Sequence, residues 1–165
     1  MIFLEALRTS IRLPAKKAMF TLNRIGMDIT VVYMFILLIL VSIPSLIDRL
    51  SVSSGTAADV QLFFLLMYFF IFYYLPLVIF VFVVLSAVAY VGVLISRALY
   101  RKIRFAILWK MCAYTTTMPF LIYTVVALII PINDNWLWLF LLYTFILMIK
   151  IITVYPRRKK RPGRK

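Results

Sequence analysis

The sequence predicts an all-α integral membrane protein: a four-helix transmembrane bundle preceded by an amphipathic segment. Three observations lead there. Of the 165 residues, 65% are hydrophobic. Several apolar runs reach the ~18–20 residues that a helix needs to cross ~30 Å of hydrocarbon. The ~10-residue alternating segments of a transmembrane β-barrel are missing, which leaves helices as the way to pair every backbone group in lipid.

Residues 1–28 read as a basic arm, cytoplasmic or interfacial. Within "IFLEALRTSIRLPAKKAMFTLNRI", Phe3, Leu7 and Ile11, then Ala18, Leu22 and Ile25, recur at helical spacing, while Arg8, Arg12, Lys16, Lys17 and Arg24 fall between them. Pro14 divides the stretch into two short amphipathic pieces. Such a segment either lies in the headgroup layer, cations toward anionic lipid, or packs on the other helices or a partner. The arm is basic and contains Glu5, and the apolar run behind it exceeds the ~7–15 residues of a cleaved signal, so an uncleaved anchor is expected.

The first span is expected at about 29–47. Asp28 at its start reads as a cap favoured by the helix dipole and by Arg24, not as a proton carrier. Pro44, followed by "IDRLSVSSGTAAD", marks a short polar loop. Residues 60–96 then give a mostly apolar run far longer than one bilayer core, kinked at Pro76. It makes either one crossing or a hairpin of two. Arg97, Arg101, Lys102, Arg104 and Lys110 follow at once and favour the cytoplasmic side, which one crossing provides.

The last spans follow at about 111–130 and 136–155, joined by the turn "PINDN". With both ends inside, all Lys and Arg residues but Arg49 lie on or near the cytoplasmic side, and Asp48, Asp59 and Asp134 lie outside. The aromatic surplus "QLFFLLMYFFIFYYL" before Pro76 suits an interfacial or helix-covering role. Ala89, Gly92 and Ser96 share one helical face and predict a packing seam where another helix approaches closely.

The stretch "WKMCAYTTTMPFLIYTVVALIIP" interrupts an otherwise apolar span with three threonines and a proline. Pro119 frees the carbonyl of Thr115, four residues earlier, and threonine hydroxyls bond local carbonyls, so Tyr114, Thr115, Thr116, Thr117 and Pro119 predict a built kink. A polar patch lining a path or docking a partner is the functional alternative.

The formal net charge of +14 first has to be counted against membrane orientation, and no nucleic-acid partner is expected. The tail "PRRKKRPGRK", residues 156–165, brings Arg157, Arg158, Lys159, Lys160 and Arg161 to anionic headgroups or serves topology alone. The absence of histidine removes the commonest general base and metal ligand. No two intramembrane aspartates face each other, and Cys112 has no partner for a disulfide. No catalytic residue, cofactor or metal is expected.

A family resemblance rests on "RKIRFAILWKMCAYTTTMPFLI", the N-terminal "FLEALRTSIRLPAKKA", Tyr33 and Phe35 as Y-x-F, and "SIPSLI" at Ser42–Ile47. Together they resemble the bacterial membrane family called domain of unknown function 1189, which includes maltodextrin-utilisation membrane proteins and whose last helices resemble Yip-type membrane domains. The resemblance implies a multi-pass plasma-membrane protein with an accessory role and no catalytic residues. Relatives carry a longer extracytoplasmic segment after the first span; here only about a dozen polar residues stand there.

Two functions follow as expectations. One is a non-enzymatic accessory or scaffold subunit of a larger plasma-membrane complex, transporter-associated or otherwise, bound to another membrane protein or to copies of itself. The other is an oligomeric channel or lipid-handling protein with a Thr-lined path.

Overall fold

A computed structural model describes residues 2–13, 15–52, 58–101, 103–129 and 136–155, and among them the regular structure is helical throughout. The arm forms α1 (Ile2–Ile11) and α2 (Lys16–Arg24), followed by α3 (Met27–Val52). Next come α4 (Ala58–Phe69), a π-helical turn (Phe70–Tyr74) and α5 (Leu75–Ala98). The chain closes with α6 (Phe105–Thr115), α7 (Thr117–Ile129) and α8 (Trp136–Val154). Among the described residues, three stretches are long and apolar enough to cross a membrane, Met27–Leu50, Leu62–Ala98 and Phe105–Ile129, and Leu142–Val154 is a shorter apolar helix.

The first of these helices outlasts its expected end. Residues 48–52 belong to α3, not to a loop, and Pro44 sits inside the helix. Side chains across the gap explain why it continues. Ser45 Oγ and the Tyr73 hydroxyl lie 2.8 Å apart, Arg49 sits 5.6 Å from the Tyr73 ring centre, and the Tyr74 hydroxyl donates to the Phe35 carbonyl at 3.0 Å. Ser45 and Arg49, on either side of the turn after Pro44, are thus tied to the π turn, which favours the helical conformation beyond the proline.

The long apolar run is one helical element of 37 residues, Leu62–Ala98, and its irregularity falls just ahead of Pro76. A proline ring clashes with the carbonyl four residues back, here Phe72, and removes one N–H from the ladder. Widening the turn at 70–74 accommodates both effects.

The centre of the bundle is α6 with α7, which packs on α1, α3, α5 and α8, while α2 lies against α6. Helix α6 begins six residues ahead of the expected span start at 111, and Leu108, Trp109 and Lys110 are buried. The aromatic series Phe35, Phe82 and Trp109, with ring centres 5.5 and 5.6 Å apart, connects α3, α5 and α6. Trp109 Nε1 donates to Ser86 Oγ at 3.2 Å, so its one polar atom is paired.

In the arm, α1 buries Ala6 and Ser10 while Phe3 and Ile11 stay exposed, and α2 buries Ala18, Met19 and Leu22. Ala6 and Ser10 of α1 therefore meet the core, with Leu7 packed beside them, while Phe3, Leu4 and Ile11 face outward. All five arm cations are exposed. Helix α5 ends in a Schellman turn: the Tyr100 N–H donates to the Arg97 carbonyl and the Arg101 N–H to that of Ser96. Tyr100 occupies the left-handed position, φ 55°.

Candidate functional site: a hydroxyl seam at the α6–α7 break

Helices α6 and α7 meet at one residue. Thr116, with ψ at −12°, opens the turn, and the ladder resumes on either side of it: the Thr116 N–H donates to the Cys112 carbonyl at 3.1 Å and the Phe120 N–H to that of Thr116 at 3.0 Å. Pro119 has no N–H to offer Thr115, which accounts for the opening here.

The three threonines are buried and do three different things. Thr116 Oγ1 donates to the Ala113 carbonyl at 2.8 Å, the local bond that supports a bend. Thr117 Oγ1 turns to α3 and lies 2.8 Å from the Tyr33 hydroxyl. Thr115 Oγ1 is buried with no hydrogen-bond partner among the described residues.

One turn before Thr117, the Tyr114 hydroxyl lies 2.9 Å from Thr30 Oγ1. Thr30 already donates its proton to the Gly26 carbonyl at 3.0 Å, so Tyr114 is the donor. Residues 30 and 33 thus meet 114 and 117 in the same order, as two rungs of a ladder between helices running in the same direction. The Tyr33 and Tyr114 rings, 5.4 Å apart and tilted by 49°, fill the space between the rungs. Ser10 of α1 is also buried, and it donates to the Ala6 carbonyl at 2.7 Å. Tyr33, Thr30 and Ser10 complete the seam from outside the TTTMP stretch; the Y-x-F spacing flagged Tyr33, and nothing in sequence pairs it with Thr117.

Below the seam, Lys110 is buried, and its Nζ donates to the carbonyls of Asn23 at 2.8 Å and Ile25 at 2.9 Å. These are carbonyls at the C-terminal end of α2, where a helix leaves acceptors unpaired and a cation is favoured. A lysine read in sequence as one of the cations near the cytoplasmic side also fastens the arm to the central helix.

The small-residue face of α5 also finds its neighbour. Ala89, Gly92 and Ser96 are buried, and a Cβ added at Gly92 would stand 2.6 Å from Met148 Sδ on α8. Ser96 Oγ donates to the Arg101 carbonyl at 3.3 Å and steadies the turn after α5. The tail cations Arg157, Arg158, Lys159, Lys160 and Arg161 lie outside the described residues. Among the described residues no cluster of His, Cys, Asp or Glu is suited to a metal ion.

Fold and site together define a class: a protein whose described residues are helical, with three membrane-compatible helices among them, two of which are knitted by a hydroxyl seam. The chain matches no protein-family model, no curated protein and no solved structure. The resemblance to the domain of unknown function 1189 family therefore rests on the quoted motifs alone.

Proposed function

We propose that the chain is a non-enzymatic accessory or scaffold subunit of a larger plasma-membrane complex, a four-span bundle with both ends on the cytoplasmic side. The observation that carries this reading is the Leu62–Ala98 helix. Its 37 residues extend ~55 Å at ~1.5 Å per residue, against a hydrocarbon core of ~30 Å. Its outer part exposes Leu62, Phe63, Phe64, Met67, Tyr68 and Phe72. Apolar surface in excess of the bilayer is costly, and a neighbouring membrane protein covers it better than tilt alone.

Two further features support the reading. The shared direction of α3 and α6–α7 fits a single crossing by the helix between them, which keeps the basic segments on one side. The hydroxyls of Thr30, Tyr33, Tyr114, Thr116 and Thr117 are paired within the chain, a use that serves folding. The partnerless Thr115 Oγ1 favours the second reading, an oligomer with a Thr-lined path.

The test is purification of the tagged chain in mild detergent with identification of what accompanies it. A stoichiometric second membrane protein that is lost when Phe63, Phe64 and Met67 become serine is the expected result. A homo-oligomer that conducts ions after reconstitution overturns it in favour of the path.

A further inference from the structure

We propose that the cavity between α1, α2 and the start of α3 binds the headgroup of a phosphoethanolamine phospholipid. The cavity measures about 300 Å³, at the small end of ligand pockets. Its position selects a lipid: Ile29, in its wall, lies in the first turn of α3, so the cavity opens where the first membrane-compatible helix begins. This inference goes beyond the scaffold reading and needs no protein partner.

The walls supply opposite charges from different helices. Glu5 and Thr9, one turn apart, come from α1; Thr21 and Arg24 come from α2. Glu5 and Arg24 line the same cavity, yet among the described residues neither is held in an ion pair. Two opposite charges kept apart across one space fit a ligand that carries both, with a phosphate for the guanidinium and an ammonium for the carboxylate.

The hydroxyls sharpen the match. Thr21, a lining residue, donates its Oγ1 proton to the Lys17 carbonyl at 3.0 Å and so keeps only acceptor capacity, suited to an ammonium N–H. Thr9 has no side-chain bond among the described residues, and its hydroxyl is available to a phosphate oxygen. Ile25 and Ile29 give an apolar wall for the glycerol end.

Glu5 sets the specificity. It is the one acid among the first 27 residues, set against five Lys and Arg. An anionic headgroup would meet its carboxylate as a like charge, and a choline headgroup has no N–H to give it. The ethanolamine ammonium has three.

The experiment uses the full chain reconstituted in phosphatidylcholine nanodiscs containing equal parts of phosphatidylethanolamine and phosphatidylglycerol. Lipid retained after mild-detergent extraction is counted by native mass spectrometry. Wild type is expected to retain phosphatidylethanolamine over the other two. Glu5→Gln should lose that preference by about tenfold, the worth of one charge-assisted hydrogen bond, and Arg24→Gln should lose it as well. Both side chains are exposed, and Glu5→Asp, which keeps the charge, should retain the preference and so separates recognition from folding. Equal retention of the three lipids by wild type, or an unchanged preference in Glu5→Gln, overturns the proposal. Binding of soluble phosphoethanolamine to the lipid-free protein as tightly as the lipid would overturn the membrane source and reassign the site to a free small molecule.

Discussion

Lys110 Nζ donates to the Asn23 carbonyl across 2.8 Å, joining residues 87 positions apart and fixing the arm to the central helix. The same ammonium reaches Ile25 at 2.9 Å. Hydrogen bonds to a charged group contribute about 1.5–3 kcal/mol each when buried. Lys110→Met should therefore release α2: amide exchange across residues 16–24 should accelerate while α7 stays protected. Unchanged protection of α2 would mean that Met19 and Leu22 hold the arm without the lysine.

The two rungs between α3 and the α6–α7 break give a second test. Hydrogen bonds between membrane helices contribute ~0.6 kcal/mol on average and up to ~1.7. A double-mutant cycle of Tyr33→Phe with Thr117→Val, read by thermal unfolding in detergent, should give a coupling energy in that range. Thr115→Val should be neutral or stabilising, since its hydroxyl is buried without a partner among the described residues. A loss of stability in Thr115→Val matching that of Thr117→Val would refute the division of roles among the three threonines.

Gly92 tests the α5–α8 seam. Its added Cβ would meet Met148 Sδ, the far part of a flexible side chain, so Gly92→Ala should be nearly neutral, the gain in helix propensity offsetting a small shift of Met148. Gly92→Leu cannot be absorbed that way and should cost about 1–3 kcal/mol by overpacking. Met148→Ala added to Gly92→Leu should recover part of that loss, and an absence of recovery would place the clash elsewhere.

Tyr100 holds a left-handed conformation, φ 55°, which at this position after a helix is usually taken by glycine, and it is 83% exposed. The conformation costs a non-glycine residue ~1–2 kcal/mol, and little packing is lost with the side chain. Tyr100→Gly should raise the apparent melting temperature, with a gain of about 1 kcal/mol. A fall would show that the exposed ring has another use, such as an anchor at the membrane surface.

Topology is read by single cysteines in a chain freed of Cys112. An impermeant thiol reagent added to intact cells should label cysteines placed at Ser54 and Asn133 and leave one at Gly163 untouched. Labelling at Gly163 would place the tail outside and remove the basis for an inward-facing basic side.

The sequence by itself determined the helical class and the presence of long apolar helices, and it marked Pro119 and the small residues of α5. These follow from local properties: hydropathy adds along a segment, a proline removes one N–H wherever it stands, and residues three and four apart share a helix face. Tertiary structure decided which of the marked residues meet. Thr30 finds Tyr114 and Tyr33 finds Thr117 across 84 positions, and the same contact between helices divides three adjacent threonines into a bend support, a cross-helix partner and an orphan. Lys110 shows the difference most sharply. Its charge is visible in sequence and suggests the cytoplasmic side, while its burial depends on the end of α2 arriving beside it. Helix α3 likewise continues past Pro44 to a π turn that meets it only in space. Such pairings depend on the register between helices far apart in the chain, which the packing of the whole bundle sets and no periodicity within one segment encodes.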